Sequence, residues 1–208
     1  MYQKYNTEAL VLGSYEVGES DKTIVLYTRD FGLVRARASA VRSEYSRMRY
    51  AAQHFSRSHV SLVRGKRGWR LAGATALSLP RTGAGLSSFA RIAELTTRLV
   101  GTDEKNEYLY DALTEAHTAL MSAQGGSQPK ADGPRAQALG GPVSDVSGVI
   151  EIVCVARLLY SLGYISNEAL QSALFTHTAY TGESLMEAET MRDKLLSSIN
   201  RAIAETHL

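Results

Sequence analysis

The chain has 208 residues, 44% of them hydrophobic, which is enough to bury a core in one or two domains. Its single cysteine, Cys154, excludes an internal disulfide and a cysteine-based zinc site within one chain. The net charge of +2 conceals a division: residues 1–80 carry 13 Lys and Arg against 6 Asp and Glu, whereas residues 81–208 carry 10 against 15. This charge break predicts two domains, 1–80 and 81–208, and a polyanionic ligand for the first.

The first 80 residues have the pattern of short strands. β-branched and aromatic residues alternate or cluster between glycine-containing turns. The expected strands cover residues 9–12, 23–28, 33–38, 59–63 and 69–72. Five such strands predict a small β-barrel of the OB type, with residues 41–57 as the long connection between its third and fourth strands.

Beyond Pro80 the apolar residues follow helical spacing. Residues 122–146 are rich in Gly and Pro, which predicts a mobile loop inside the helical half. Cys154 lies in an apolar run on a third helix, where a buried inert thiol is expected. Ser184 and Glu187 have the spacing of a capping box for the last helix. The predicted fold class is therefore α+β: an N-terminal five-stranded OB-type β-barrel followed by an all-α helical domain.

Basic residues interleaved with aromatic rings dominate residues 31–80, where the only acidic residue is Glu44. Cations of this kind follow a phosphate backbone, and exposed rings stack on bases without sequence preference. Trp69 alternates in phase with Leu71, so we interpret it as a core residue. The predicted DNA-binding residues are Arg35, Arg37, Arg42, Arg47, Arg49, Arg64, Lys66, Arg67, Arg70, Tyr45 and Tyr50.

Signals for catalysis or cofactors are weak. The run Gly65-Lys66-Arg67 lacks the upstream glycine and the following Ser or Thr of a phosphate-binding loop, and fits a basic hairpin turn better. The five histidines are scattered, and no nucleophile-elbow pattern is present. We therefore expect no enzyme activity, no metal and no cofactor. No run of about 18 apolar residues suggests a membrane span, and the N-terminus does not resemble a signal peptide, so a cytoplasmic location is expected.

Four segments together resemble the RecO family of recombination mediators. Residues 7–12, followed by 15–19 and 21–22, resemble its opening strand and turn, and residues 31–34 resemble the step into the next strand. Residues 38–49 resemble its basic loop, and residues 158–164 its helical "L-x-x-L-G-Y" segment. Two departures stand out. Ser39-Ala40 replaces the family's Lys-Gly, and residues 167–181 lack the Cys cluster of many members, so a metal site does not carry over.

This resemblance implies a non-enzymatic protein of DNA repair and recombination, associated with the nucleoid. Such proteins bind single- and double-stranded DNA, anneal complementary strands, engage RecR and single-stranded DNA-binding protein, and help to load RecA. Two alternatives from the residues remain: a generic OB-fold RNA-binding module, and a non-enzymatic adaptor protein.

The acidic helical half is expected to dock proteins rather than DNA. The resemblance implies that the tail of single-stranded DNA-binding protein ends in acidic residues and an apolar tip. A receptor for such a tail needs an apolar slot beside one or two cations. The predicted partner-binding cations are Arg157, Arg192 and Lys194.

Overall fold

The computed structural model describes residues 3–19, 21–39, 41, 46, 48–122, 145–166 and 173–206. Its first part is a closed barrel in which the strands follow the order β1-β2-β3-β5-β4. The strands are β1 (Lys4–Val17), β2 (Asp21–Thr28), β3 (Gly32–Ala38), β4 (Arg57–Gly65) and β5 (Gly68–Ser78). Only β3 and β5 pair in parallel; the other neighbours are antiparallel. This is the predicted OB-type barrel, with the long connection between β3 and β4.

Alternate residues of every strand fill the barrel. A strand turns successive side chains to opposite faces, so one set points inward. In β3 the inward set is Val34, Ala36 and Ala38, all buried, while Arg35 and Arg37 are exposed, as the sequence predicts. The remaining inward side chains include Ala9, Val11, Ile24, Leu26, Val60, Leu62, Trp69 and Leu71.

Helices follow the barrel in the described part of the chain. They are α1 (Ala84–Leu99), α2 (Glu107–Ser122), α3 (Val146–Ser161), α4 (Gly182–Thr190) and α5 (Arg192–Glu205), with a 3-10 turn at Ala173–Phe175. Together with the barrel they confirm the predicted α+β class. None of these helices is long and apolar enough to cross a membrane. Most of the Gly/Pro-rich 122–146 segment, residues 123–144, lies outside the described residues.

The capping box predicted at the last helix is wrong in its residues. Thr181, not Ser184, is the N-cap, and it exchanges side-chain to backbone hydrogen bonds with Ser184. That box opens α4, which ends at Thr190, and Met191 separates it from α5. The expected single terminal helix is therefore two helices.

The helices cover one side of the barrel. On β1 and β2 the outward residues Leu10, Leu12, Val25 and Tyr27 are buried as well as the inward ones. They form one apolar cluster with side chains of α1, α2 and α3, such as Phe89. The exposed outer face of the barrel is consequently confined to the strand ends and to β3, β4 and β5.

Candidate nucleic-acid interface

A row of side chains crosses the outer face of all five strands. Paired residues on neighbouring strands point to the same side of a sheet and lie about 5 Å apart. The register links Tyr15 to Thr23, Thr23 to Arg37, Arg37 to Arg70, Arg70 to Val63, and Val63 to Lys4. We call these six residues the basic row. It joins three cations and one aromatic ring, Tyr15, which is 51% exposed.

The β4–β5 hairpin extends this row with further cations. Lys66 and Arg67 are exposed around its tip, and Arg35 is exposed on β3, two residues before Arg37. A groove of about 520 Å³ lies between the hairpin and the end of β3. Its described lining includes Arg37, Lys66, Arg67 and Arg70 and contains no acidic residue.

Asp103 fixes the hairpin in place. This residue belongs to the connection between α1 and α2, and its carboxylate accepts a hydrogen bond from Trp69 Nε1 at 2.8 Å. Its other oxygen accepts one from Arg64 Nη2 at 3.3 Å, and the Arg64 guanidinium lies 5.2 Å from the Trp69 ring centroid. Trp69 is buried, so the interpretation as a core residue is confirmed. Arg64 is partly engaged within the protein.

Some cations of this surface form ion pairs with acidic side chains and others do not. Arg37 is paired with Asp21 at 2.8 Å, and Arg64 with Asp103. Within the described part of the chain, Lys4, Arg35, Lys66, Arg67 and Arg70 have no ion-pair partner. Like charges held together without counter-charges create a positive potential that a polyanion relieves.

The other predicted residues of the basic loop lie elsewhere or outside the described residues. Arg49 and Tyr50 are exposed, and both line a second pocket that shares no described lining residue with the hairpin groove. Burial, and secondarily the charge of Lys22, lowers the pKa of His54 in that pocket. The predicted residues Arg42, Tyr45 and Arg47 lie outside the described residues.

Arg157 is not a docking residue, and this prediction is wrong. Its side chain is 1% exposed, inside the helical part. The guanidinium donates to the carbonyl oxygens of Leu174 (2.8 Å), His177 (2.6 Å) and Thr178 (2.8 Å). It also lies 4.7 Å from the centroid of the Tyr180 ring. Its donors are therefore used to hold the 174–180 segment against α3.

Arg192 and Lys194 are placed differently. Arg192 lines a groove of about 310 Å³ between α3 and α5, beside apolar side chains such as Ile152 and Leu196. The acidic Glu151 also lines this groove, and its carboxylate is paired with Arg91. Arg192 is paired with Glu189 at 3.0 Å. Lys194 is exposed on the same helix. A small apolar slot with a nearby cation therefore exists here, without Arg157.

Sequence reasoning missed Lys4, Tyr15 and Lys22. Each is a lone residue near a strand end, outside the dense basic segment 31–80. Strand alternation gives the face of each residue, but only the barrel register shows that Lys4 and Tyr15 share a row with Arg37 and Arg70. Among the described residues, no group of three or more His, Cys, Asp or Glu side chains is arranged to hold a metal ion.

Comparison with known proteins identifies the N-terminal part. Residues 1–77 match the family model described as Recombination protein O N terminal. The chain is 45% identical over 64 residues to the DNA repair protein RecO of Desulforudis audaxviator, covering 31% of this chain and 26% of that protein. It is 42% identical over 62 residues to that of Desulfitobacterium hafniense (30% and 23%), and 38% over 61 residues to that of Myxococcus xanthus (29% and 25%). The match thus spans about a quarter of each relative.

Proposed function

We propose that this chain is a DNA-binding recombination mediator of the RecO family, because its residues 1–77 match the Recombination protein O N-terminal model and resemble DNA repair proteins of that name. It binds single- and double-stranded DNA, anneals complementary strands, and assists RecA loading together with RecR during repair of gaps and breaks. We propose that the protein acts in the cytoplasm, at the nucleoid. The role requires binding surfaces rather than bond-making chemistry, and we assign no catalytic residue.

One observation carries this proposal: the cations that have no ion-pair partner among the described residues, on the basic row, on the β4–β5 hairpin and at Arg35 beside them. Lys4 lies on β1, Arg35 on β3 and Arg70 on β5, and the β4–β5 turn contributes two more cations, Lys66 and Arg67, so three strands and one turn of a closed barrel supply them. A phosphate backbone offers regularly spaced charges to such a surface, and contact releases its condensed counterions. Because phosphate contacts carry no base identity, binding is expected to be independent of sequence.

The same surface accounts for annealing. Two complementary strands repel each other through their phosphates, and a shared basic surface screens that repulsion. The cations engage the backbone, so the base edges stay free to pair with the second strand. Tyr15, at one end of the row, offers a ring on which an unpaired base can stack.

The groove between α3 and α5 supports a protein-binding role for the helical part. It combines apolar walls with Arg192, and Lys194 is exposed on the same helix. We propose that it receives the acidic, apolar-tipped tail of single-stranded DNA-binding protein. Binding of RecR and RecA is proposed from the family alone.

The test is charge reversal on the basic row, on the hairpin and at Arg35. Arg35→Glu, Arg67→Glu and Arg70→Glu are combined in one variant. A matched control combines Arg81→Glu, Arg98→Glu and Arg201→Glu, three exposed cations beyond the barrel. Fluorescence anisotropy measures affinity for a single strand and its duplex from 50 to 200 mM salt. For a single strand, each lost phosphate contact should reduce the steepness of log affinity against log salt concentration by about 0.7. The Arg35/Arg67/Arg70 variant should therefore have a slope shallower by about 2 and should bind more than tenfold more weakly.

Annealing of complementary strands, bare or coated with single-stranded DNA-binding protein, should fall in parallel in the first variant and persist in the control. Equal affinities of wild type and the Arg35/Arg67/Arg70 variant would contradict the proposed interface. Preference for RNA without annealing would support an RNA-binding module, and absence of salt-sensitive binding would support an adaptor.

A further inference from the structure

A second concave site lies next to the basic row but does not belong to it. Its volume is about 660 Å³, within the range of pockets that hold small ligands. It is bounded by the start of β2, by the connection between β3 and β4, and by the segment that leads into α1. Lys22 directly precedes Thr23 of the basic row along β2, so this pocket begins one residue from the row, on the opposite face of that strand.

The walls of the pocket are held by hydrogen bonds within the protein. The N–H of Ala52 donates to the Met48 carbonyl at 2.9 Å, and the Ser56 hydroxyl contacts the carbonyls of Ala51 and Gln53 at 2.9 and 2.8 Å. Both backbone polar groups of Phe55 have hydrogen-bond partners. Its N–H donates to the Val11 carbonyl at 2.7 Å, and its own carbonyl is 2.8 Å from His117 Nε2. The site is therefore formed before any ligand arrives.

The lining combines three kinds of chemistry. Val41, Ala52, Phe55, Pro80 and Leu86 supply apolar surface. Tyr50 is 67% exposed, which is unusual for a large ring, and Gln53 offers an amide donor and acceptor. Lys22 and Arg49 are the cations, no acidic residue is among the described lining residues, and neither cation has an ion-pair partner in the described part of the chain.

This combination favours a ligand that is planar, polar at its edge and anionic at one end. A nucleoside with its phosphates meets all three conditions: the ring stacks on an aromatic side chain, an amide pairs with its edge, and cations take the phosphate. An acidic peptide with an apolar tip would use the cations and the apolar walls, but would leave the exposed Tyr50 ring and the Gln53 amide without a partner.

We propose that this pocket receives one unpaired nucleoside of a DNA strand whose backbone follows the basic row. The inference rests on the proposed function and assigns different contacts to the basic row and to the pocket. The row holds phosphates of single strands and duplexes alike. The pocket adds affinity only for a base free to leave its stack, since extracting a paired base from a duplex carries a free-energy cost. The pocket is therefore expected to make the protein bind single strands more tightly than duplexes.

Substitution of Tyr50 separates the two contributions. Tyr50→Ala removes the ring, Tyr50→Phe retains it, and Tyr164→Ala removes an exposed ring of the helical part as a matched control. Affinities are measured by anisotropy for a 20-nucleotide strand and for its duplex. Tyr50→Ala should weaken single-strand binding by about 5- to 100-fold and leave duplex binding unchanged. Tyr50→Phe should restore it, and Tyr164→Ala should have no effect.

Photochemical crosslinking locates the base directly. A strand carrying 5-iododeoxyuridine is irradiated in complex with the wild-type protein, and the adduct is mapped by peptide mass spectrometry. An adduct within residues 50–55 is expected. Equal weakening of single-strand and duplex binding by Tyr50→Ala, no weakening, or an adduct only at Tyr15 would overturn the pocket while DNA binding stands. Wild-type protein that binds neither DNA would instead remove the proposed function itself.

Discussion

Gly32 shows how a single residue fixes the contact between the barrel and the chain that follows α1. Its φ of +62° lies in the left-handed region that favours glycine. A Cβ placed there would overlap the carbonyl group of Glu104. The neighbouring backbone closes the contact, because the Asp103 N–H donates to the Leu33 carbonyl at 3.0 Å. Asp103, which anchors the hairpin, is thus positioned through Gly32.

We expect Gly32→Ala to destabilise the protein by more than about 2 kcal/mol, since it combines the left-handed penalty with a clash against backbone. Gly18→Ala is the matched control: its φ is +68°, but nothing lies within 4 Å of the added Cβ. That variant should cost about 1 kcal/mol. Urea unfolding of the two variants measures both values. Equal losses would show that the close approach of Glu104 contributes nothing.

Cys154 shows what apolar context predicts at the residue scale. The surrounding run of aliphatic residues indicates a buried thiol, and the structure confirms it with 0% exposure. Burial raises the pKa of Cys154 to about 12, so the thiolate that reacts with oxidants or metals is not formed near neutral pH. Arg157, three residues later on the same helix, was misassigned because charged residues are rarely fully buried.

At the scale of elements, the Arg157 side chain on α3 supplies hydrogen bonds to backbone carbonyls of residues 174–178, a role that backbone N–H groups fill in regular secondary structure. Residues 176–180 form neither helix nor strand, so their carbonyl groups need other donors. One guanidinium satisfies the carbonyls of Leu174, His177 and Thr178 from α3. No carboxylate takes part in these bonds, and the positive charge is compensated by carbonyl dipoles and the Tyr180 ring.

We expect Arg157→Leu to lower the free energy of unfolding by about 3 kcal/mol or more, because it leaves buried carbonyl groups without donors. Arg157→Lys should recover only part of this loss, since one ammonium group cannot reproduce the fork of donors. Arg201→Leu, on the exposed side of α5, is the control and should stay within about 0.5 kcal/mol of wild type.

Hydrogen exchange distinguishes this role from general core packing. Amides of residues 174–180 should lose protection in Arg157→Leu well before those of the barrel strands. Uniform loss of protection over the whole chain would contradict a local clamp, and so would full stability of the variant.

Strands and helices were predictable from sequence because their signals are local. Alternation in 33–38 assigned Arg35 and Arg37 to the outer face, and helical spacing after Pro80 located the helices. The register between β1 and β4 was not predictable, since residues far apart in sequence determine it. Lys4 and Tyr15 therefore appeared unrelated to Arg70. The pocket at Tyr50 was hidden for the same reason: its walls come from β2, the β3–β4 connection and the entry to α1.

At the scale of the whole molecule, the barrel and the helices are joined by polar contacts as well as by the apolar cluster. Glu8 of β1 accepts a hydrogen bond from Arg57 of β4 at 2.6 Å and one from Tyr110 of α2 at 3.3 Å. Arg57, chiefly through this hydrogen bond, holds the pKa of Glu8 below its ordinary value. His117 of α2 reaches the Phe55 carbonyl, next to the pocket proposed for a nucleoside. The basic N-terminal part and the acidic C-terminal part of the sequence are therefore in direct contact in the structure.

His117 makes this junction sensitive to acid. Its side chain is buried against the Phe55 carbonyl, which accepts from a protonated Nε2 of the neutral ring. Burial, and in addition the charge of Arg57, lowers the pKa of His117 below its ordinary value of 6.5. The unfolded chain therefore binds a proton at higher pH than the folded one. The stabilising contribution is complete above pH 6.5 and is lost as the pH falls below that value.

We expect the free energy of unfolding of the wild type to fall between pH 7 and pH 5, and this fall to be shallower in His117→Gln, whose amide donates to the same carbonyl but does not titrate. His54→Gln is the control for the second histidine with a lowered pKa, which lies nearer the surface, bonded to Ser14 at 2.7 Å. Urea unfolding at half-unit steps of pH gives the three curves. Parallel curves for wild type and His117→Gln would show that His117 does not titrate on unfolding. If the free energy of unfolding depends less on pH only in His54→Gln, the acid-sensitive contact is at His54 in the pocket rather than at His117. Protonation of His54 would then add a cation beside Lys22.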